Sequence, residues 1–316
     1  MKAAEANSIT HRYGNITAVD DVSFGVNDGE IFGFIGPDGA GKTTLFRIAA
    51  TLIIPSGGRM TLFGLNVVSD FRELRNHIGY MPGRFSLYTD LTVEENLQFY
   101  ATIFGTSIRE NYHLIEPIYR QIEPFRKRRA GRLSGGMKQK LALSCALIHK
   151  PRILILDEPT TGVDAVSRTE FWEMLEGLKR EGITILVSTP YMDEALRCDR
   201  IALMQQGRLM GIDTPAAIRA SYGKRIYAVS HPERYRLLMA LRAMTGVVSP
   251  EPFGEAVHIN LREGVTAEEV KRSLQLAGLE NAELTEITAG IEDVFLEMMR
   301  RRSESLRVLE SEGLKV

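Results

Sequence analysis

A glycine-rich segment containing one lysine is the part of the sequence best suited to bind phosphate. Its residues are Gly36, Pro37, Asp38, Gly39, Ala40, Gly41, Lys42, Thr43 and Thr44. Glycines let backbone N–H groups turn toward phosphate oxygens, lysine supplies a positive charge, and a threonine hydroxyl can bind Mg²⁺. The spacing matches the phosphate-binding loop G-x-x-x-x-G-K-[ST], so the whole segment is a candidate phosphate site and Thr43 is also a candidate metal ligand.

The residues on both sides of this segment predict the strand and the helix that such a loop requires. Residues 30–35 are mostly apolar and predict a buried strand. Residues 44–52 predict a helix that ends before Pro55. A chance glycine-rich turn is the alternative, and the correct flanking elements argue strongly against it.

Two carboxylates follow a second apolar run. Residues 153–156 predict a buried parallel strand, and Asp157 and Glu158 stand at its end. Asp157 is a candidate for holding Mg²⁺ through water, and Glu158 is a candidate catalytic residue that polarises the attacking water. Two solvated acids at a strand end are the alternative, which the preceding phosphate loop disfavours.

A second anion-binding loop is predicted between these two motifs. Ser134, Gly135 and Gly136 follow Leu133 and stand at the start of a predicted helix. A serine with two glycines at a helix N-terminus offers several N–H and O–H donors to an anion. All three residues are therefore candidate nucleotide ligands.

With these motifs in this order, the sequence resembles the ATP-binding cassette (ABC) family over roughly residues 7–215. The resemblance implies ATP and Mg²⁺ as cofactors. It also implies a second cassette as partner, because in the family the Ser134–Gly136 loop grips the γ-phosphate of ATP held by the opposite subunit. Tyr13 matches the aromatic residue that stacks on adenine, although a half-buried strand aromatic is the alternative. Asp164 matches an acidic residue that crosses the dimer interface.

Two positions depart from the family pattern. Gly83 stands where the family has a glutamine that contacts Mg²⁺ and water, and Pro190 stands where it has a histidine that touches the γ-phosphate. Glycine has no side chain, and proline has neither an ionisable ring nor an N–H donor. We therefore expect impaired hydrolysis at this chain's own site and a better-equipped partner cassette. The alternative is that Arg84 or Tyr191 supplies the missing groups.

Length and composition are those of an ordinary globular protein. The chain has 316 residues, enough for two domains, and a net charge of −1, so no nucleic-acid partner is indicated. The first residues contain no apolar signal region, and no segment approaches about 20 continuous apolar residues, so we expect neither a signal peptide nor a membrane span. Cys145 and Cys198 lack metal-ligand spacing and are interpreted as reduced thiols of a cytosolic protein.

Hydrophobic patterning predicts an α/β fold, in which a parallel core carries a helical insertion and is followed by a small α+β domain. The resemblance implies that this core is a P-loop NTPase of the ABC type. The nucleotide-binding domain is expected over residues 1–220, with the insertion at about 83–150. Residues 221–302 follow the order β-α-β-β-α-β with one added helix, which favours a ferredoxin-like domain. Residues 303–316 are polar and are predicted to form a flexible tail.

Two segments of the insertion have readable patterns. Thr92 and Glu95 form a Thr-x-x-Glu capping box that predicts a helix start. Four consecutive basic residues, Arg126, Lys127, Arg128 and Arg129, are predicted to be a solvated face rather than a binding patch.

The resemblance implies the ATPase subunit of a membrane transporter, held at the cytoplasmic face of the inner or plasma membrane by integral membrane partner subunits. Residues 290–296 resemble the tail of drug-export-type cassettes, which implies an exporter. The partner is expected to dock near Phe85, Leu87 and Tyr88, predicted to be exposed; the alternative is that they pack beneath the insertion. Two other functions stay open, a non-catalytic regulatory ATP-binding subunit and a soluble ABC ATPase. The C-terminal domain is interpreted as a dimerisation or regulatory module, or else as a small-molecule site.

Overall fold

The computed structural model describes residues 2–311, with side chains described as far as residue 303. The chain divides into two compact units, Met1–Pro215 and Ala216–Val316. Across the described residues, the helices are all too short or too polar to cross a lipid bilayer.

The strands are β1 (Lys2–Tyr13), β2 (Ile16–Asn27), β3 (Ile31–Ile35), β4 (Gly57–Leu62), β5 (Leu65–Asn66), β6 (Ile78–Met81), β7 (Ile153–Asp157), β8 (Thr184–Thr189), β9 (Arg200–Gln205), β10 (Arg208–Asp213), β11 (Ile226–Ser230), β12 (Val247–Phe253), β13 (Ala256–Leu261) and β14 (Glu283–Ile287). The α-helices are α1 (Lys42–Ala49), α2 (Phe71–Leu74), α3 (Val93–Ile103), α4 (Tyr112–Tyr119), α5 (Gly135–Leu147), α6 (Ala165–Arg180), α7 (Pro215–Ala220), α8 (Arg234–Ala243), α9 (Ala267–Leu276) and α10 (Ile291–Ser311). Short 3₁₀ helices lie at Glu123–Phe125, Ala130–Arg132 and Met192–Arg197.

A six-stranded sheet with the order β10-β9-β3-β8-β7-β6 forms the centre of the first unit. Neighbouring strands from β9 to β6 are parallel, and only β10 runs antiparallel, at the edge. Every residue of β3, β7 and β8 is buried, as expected for parallel strands covered on both faces. Because parallel strands end at the same edge, the segments that follow β3, β7 and β8 meet there.

An antiparallel sheet with the order β2-β1-β4-β5 packs its buried face into the same core. Four aromatic rings connect the two sheets and α1: those of Phe24, Phe32, Phe34 and Phe46. The Phe34 and Phe46 rings meet edge to face with centroids 5.4 Å apart, which fixes α1 against β3. The loop between β3 and α1 is therefore anchored at both of its ends.

The predicted capping box at the start of α3 is confirmed. The Thr92 hydroxyl accepts the Glu95 N–H at 3.2 Å, and the Glu95 carboxylate accepts the Thr92 N–H at 2.8 Å. Asn96, one residue later, is fully buried and pairs with both the N–H and the C=O of Tyr88 at 3.0 Å. The amide of Asn96 thus ties the loop before α3 to the helix itself.

After α7, the second unit follows the order β-α-β-β-α-β-α, with an antiparallel sheet in the order β12-β13-β11-β14. Helices α8 and α9 cover one face through Leu237, Leu241, Val270 and Leu274. The predicted tail, residues 303–316, is helical as far as Ser311, because α10 continues through residues with good helix propensity. Residues 312–316 of that predicted tail lie outside the described residues.

Candidate functional site

The loop between β3 and α1 has a backbone that requires glycine. A Cβ on Gly36 would lie 2.1 Å from the Met204 carbonyl oxygen, a distance that no side chain permits. Gly39 and Gly41 have φ values of 77° and 101°, in the left-handed region that glycine adopts without strain. Gly41 is also the N-cap of α1, so the loop directs its backbone N–H groups and the helix N-terminus to one side.

Lys42 places a buried positive charge beneath this loop. The residue is 3% exposed, and its Nζ donates to the carbonyl oxygens of Gly36 at 2.8 Å and Pro37 at 3.0 Å. The same Nζ lies 3.3 Å from Glu158 Oε1. Above it is a cavity of about 220 Å³, which is lined by Ala18, Gly39, Ala40, Gly41, Lys42, Thr43, Thr44 and Glu158. An anion entering this cavity would meet the lysine, the loop N–H groups and the helix N-terminus together.

Asp157 lies beside Thr43, which lines this cavity, and the role of the two residues as a metal pair stays a prediction. The aspartate is 2% exposed, and its Oδ1 accepts hydrogen bonds from Thr43 Oγ1 at 3.2 Å and Ser188 Oγ at 2.7 Å. Carboxylate and hydroxyl oxygens are the donors that Mg²⁺ prefers. The chemistry of this pair therefore fits a magnesium ion.

Glu158 adopts an unusual backbone conformation. Its φ is 49°, a region that residues other than glycine rarely occupy. Its N–H is shared between the Ser188 carbonyl oxygen at 3.1 Å and the Ser188 hydroxyl oxygen at 3.0 Å. This conformation turns the Glu158 carboxylate toward Lys42 and into the lining of the cavity.

The Ser134–Gly136 loop forms a separate structure at the start of α5. Ser134 is the N-cap, and its hydroxyl accepts the Met137 N–H at 3.4 Å. A Cβ on Gly136 would lie 2.9 Å from the Ser167 hydroxyl oxygen, so α5 and α6 approach too closely there for a larger residue. Within the described part of the chain, this loop does not line the cavity above Lys42.

Asp164 caps the neighbouring helix α6. Its carboxylate accepts the Ser167 N–H at 3.0 Å, and this hydrogen bond lowers the pKa of Asp164. The start of α6 therefore lies against the Ser134–Gly136 loop with an ionised residue at its N-cap.

Tyr13 is the last residue of β1 and is 44% exposed. Its ring meets the His11 ring edge to face with centroids 4.6 Å apart. It does not line the cavity above Lys42, so a role in adenine stacking stays a prediction.

Gly83 and Pro190 both lie near the carboxylates. A Cβ on Gly83 would be 3.1 Å from the Asp157 carbonyl oxygen, so this position borders the end of β7 without offering a side chain. Pro190 directly follows β8. The Arg168 guanidinium lies over the Tyr191 ring, 4.3 Å from the ring centroid. The backbone N–H of Tyr191 donates to Thr189 Oγ1 at 3.0 Å.

A second cavity, about 580 Å³ and mostly apolar, lies between α1, β6, α3 and α5; we call it the insertion groove. It is lined by Ala50, Leu52, Arg75, Asn76, Ile78, Tyr80, Pro82, Ser86, Tyr100, Ile103, Phe104, Cys145, Ala146 and His149. Burial raises the pKa of Tyr80 to about 12, and the Asp157 carboxylate adds to the shift. The phenol of Tyr80 therefore stays protonated at neutral pH.

The prediction that Phe85, Leu87 and Tyr88 are all exposed is wrong for Leu87. Leu87 is 8% exposed and Phe85 is partly buried, whereas Tyr88 is 51% exposed. The hydrogen bonds from Asn96 to the Tyr88 backbone draw the loop onto α3, and Leu87 then packs inward. Of these three residues, Tyr88 is the one that is exposed.

Two residues near the site carry no motif signal of their own. Ala18 of β2 lines the cavity, and its carbonyl oxygen would be 2.3 Å from a Cβ on Gly41. No sequence pattern indicates Ala18, because only the fold brings β2 to the loop. Ser188 has a weak signal: it is a hydroxyl residue that directly follows the apolar run 185–187 at the carboxyl end of a parallel strand.

The family described as ABC transporter matches residues 19–161. The daunorubicin resistance ATP-binding protein DrrA2 of Streptomyces coeruleorubidus is 34% identical over 98% of both chains. The Nod factor export ATP-binding protein I of Burkholderia orbicola (strain AU 1054) is 35% identical over 94% of this chain and 97% of its own.

Two further similarities cover about two thirds of the chain. The probable multidrug ABC transporter ATP-binding protein YbhF of Escherichia coli (strain K12) is 42% identical over 68% of this chain, which spans only 38% of that protein's length. The solved structure of an ATP-binding subunit of an ABC transporter has a TM-score of 0.64 and 30% identity, and the match covers 70% of this chain and 93% of that one.

Replacing Lys42 by alanine should weaken the binding of Mg-ATP about 10- to 100-fold, because a hydrogen bond to a charged group contributes about 1.5–3 kcal/mol. Equilibrium titration with nucleotide measures the change. Lys271→Ala, at an exposed position of α9, is the matched control and should bind as the parent does. Equal affinity of Lys42→Ala and the parent would remove Lys42 from the nucleotide site.

His149 should make the stability of the first unit depend on pH. Its Nε2 lies 3.0 Å from the Ile78 carbonyl oxygen and its ring stacks on Phe104, and burial lowers its pKa from 6.5 to about 4. A depressed histidine pKa means that stability is complete above about pH 6.5 and is lost as the pH falls toward 4.

As the pH falls from 7 to 5, protonation of His149 in the unfolded chain should lower the free energy of unfolding by about 2 kcal/mol. The His149→Gln variant keeps a donor for the Ile78 carbonyl. Its free energy of unfolding, measured with denaturant, should not show this decrease between pH 7 and pH 5. His113→Gln, at an exposed histidine of α4, should keep it. Identical pH profiles for the parent and His149→Gln would contradict the assignment.

Proposed function

Because the chain belongs to the ABC transporter family of ATP-binding proteins, we propose that it couples ATP binding and hydrolysis to export through a membrane-spanning partner. One observation carries the proposal: Lys42 and Thr43 line one cavity together with Glu158, more than 100 positions later in the sequence, and Asp157 is hydrogen-bonded to Thr43 beside it. The export direction is supported by full-length relatives named for daunorubicin resistance and Nod factor export. Such a subunit works at the cytoplasmic face of the membrane.

The residues of the cavity define the part that each plays with Mg-ATP. Lys42 and the loop N–H groups would hold the phosphate oxygens, and Thr43 and Asp157 would hold Mg²⁺. The chemistry supplied by the metal would be positive charge that offsets the negative charge of the phosphates. Glu158 orients the attacking water and accepts its proton. The Lys42 ammonium pairs with the Glu158 carboxylate. A phosphate group that binds in the cavity would compete with this carboxylate for the ammonium.

The position of Ser134, Gly135 and Gly136 supports a two-cassette assembly. These donors stand outside the chain's own phosphate cavity, at a helix N-terminus suited to an anion. In a head-to-tail pair each cavity would be closed by the other subunit's Ser134–Gly136 loop or its equivalent.

Gly83 and Pro190 further favour a pair of unlike cassettes. Neither residue offers a side-chain donor or metal ligand, and Tyr191 is already engaged by Arg168. Removing one positioned donor typically costs about 10²–10³ in rate. This chain would then hydrolyse ATP weakly in its own cavity while its Ser134–Gly136 loop completes the partner's cavity. A purely regulatory ATP-binding subunit is the limiting case, in which the chain's own cavity does not turn over.

The insertion groove is the proposed docking site of the membrane partner. It combines apolar walls with exposed residues at its rim, Leu52 and Ile103, and it borders the loop that carries Tyr88. Apolar grooves of this kind bind an amphipathic segment through a few buried anchors. Pro82 and Ser86 line the groove on either side of Gly83, so a docked segment would lie close to the nucleotide site.

The second unit is proposed to be a ferredoxin-like accessory module with a dimerisation or regulatory role. The strand order β12-β13-β11-β14, with α8 and α9 on one face, supports this class. The added helix α10 is fastened by Asp293, which pairs with His258 at 2.8 Å.

A substitution pair tests the division of labour between unlike cassettes. In a heterodimer with a complete cassette, Ser134→Arg in this chain should abolish most ATP hydrolysis, because a bulky cation blocks the loop that completes the partner's site. Glu158→Gln in this chain should cost much less. Steady-state phosphate release measures both variants. The reverse ranking, or robust hydrolysis by the purified chain alone, would contradict the proposal.

A single substitution tests the docking site. Ile103→Glu places a charge at the rim of the insertion groove and should abolish co-purification with the co-expressed membrane subunit, while Mg-ATP still binds. Leu276→Glu, at a highly exposed position of the second unit, is the control and should not disturb the complex. Retained co-purification of Ile103→Glu would reject the groove as the docking site.

A further inference from the structure

We propose that Ser188 is the positioning residue that aligns Asp157 and Glu158, and that it thereby sets the preference of the site for Mg-ATP over metal-free ATP. The proposal rests on the proposed ATP-binding function and deepens it. Ser188 is not part of the phosphate loop, the carboxylate motif or the Ser134–Gly136 loop.

One hydroxyl group serves both acidic residues. Ser188 Oγ donates to Asp157 Oδ1 at 2.7 Å and accepts the N–H of Glu158 at 3.0 Å. The parallel register of β7 and β8 places Ser188 directly beside Asp157. Ser188 is fully buried, so water cannot take over either bond if the hydroxyl is removed.

The bond to Asp157 fixes the orientation of a metal ligand. With Oδ1 held by Ser188, the carboxylate cannot rotate freely, and the direction of its second oxygen is set as well. Thr43 Oγ1 also donates to Oδ1, at the longer distance of 3.2 Å, and Thr43 is itself a candidate metal ligand. Ser188 is therefore the donor that can stay on Asp157 when Thr43 binds Mg²⁺.

The bond to Glu158 supports a strained backbone. Glu158 has a φ of 49°, and its N–H is held by the hydroxyl and the carbonyl oxygen of Ser188 together. This conformation brings the Glu158 carboxylate to 3.3 Å from Lys42. Without the hydroxyl, the backbone would relax more easily and the carboxylate would leave the cavity more often.

Alignment by Ser188 matters more in this chain because Gly83 and Pro190 supply no side-chain ligand or donor. Thr43 and Asp157 are then the two side chains proposed to hold Mg²⁺. No third side chain of this kind would compensate for an error in the Asp157 orientation.

The test compares ATP affinity with and without metal in the full-length protein. Titration is carried out with Mg-ATP and with ATP in excess EDTA, for the parent and Ser188→Ala. Loss of a bond to a charged carboxylate should weaken Mg-ATP binding about tenfold. Binding of metal-free ATP, which relies on Lys42 and the loop, should change by less than about twofold.

Ser144→Ala is the matched control, because Ser144 is also fully buried and its hydroxyl donates to a backbone carbonyl, that of Lys140, in α5. It should leave the ratio of the two affinities unchanged even if its melting temperature falls. Ser188→Thr keeps the hydroxyl and should restore the ratio to within about threefold of the parent.

Each outcome decides between the hypotheses. If the parent binds no Mg-ATP, the proposed function fails and this inference fails with it. If the parent binds but Ser188→Ala keeps the parent's ratio, or loses affinity equally with and without metal, Ser188 only fills space and the inference is overturned. A ratio for Ser188→Thr that matches Ser188→Ala would also overturn it, because the hydroxyl would then not be the cause.

Discussion

Parallel pairing of β3, β7 and β8 is the constraint on which the rest of the nucleotide site depends. In a parallel sheet all three strands end at one edge, so the segments that follow them meet although they are far apart in sequence. The pairing also demands strands buried on both faces, which explains why most of β3 and β7 and the centre of β8 are apolar. The chemistry is thus confined to the strand ends.

Burial of the lysine charge is the electrostatic counterpart of that constraint. Lys42 is almost completely buried, and its ammonium is satisfied by two loop carbonyl oxygens and the Glu158 carboxylate. A buried charge is tolerated only when it is paired. The Glu158 carboxylate is the anion that pairs with Lys42 here, and a bound phosphate group could take its place. In the proposed function, phosphate binding and the release of Glu158 would therefore be coupled through one ammonium group.

The two substituted positions and the separate second loop fit one interpretation. In the proposed assembly, Gly83 and Pro190 would weaken the chain's own site, whereas the Ser134–Gly136 loop would complete the site of the partner. The insertion groove begins next to Gly83, so a membrane partner could sense the nucleotide site through the intervening loop. A subunit of this kind would contribute more to its partner's turnover than to its own.

The local features of this protein can be predicted from its sequence alone. The phosphate loop, the carboxylates after an apolar run and the capping box at Thr92 depend on neighbouring residues, and local backbone physics is readable from local sequence. Other features are visible only in the folded chain: Ser188 contacts the Asp157 carboxylate and the Glu158 N–H, Ala18 lines the cavity, and Leu87 turns inward. These features depend on the register of the strands and on the buried amide of Asn96. Both connect residues that are not neighbours in the sequence, and no periodic pattern in the sequence indicates such contacts.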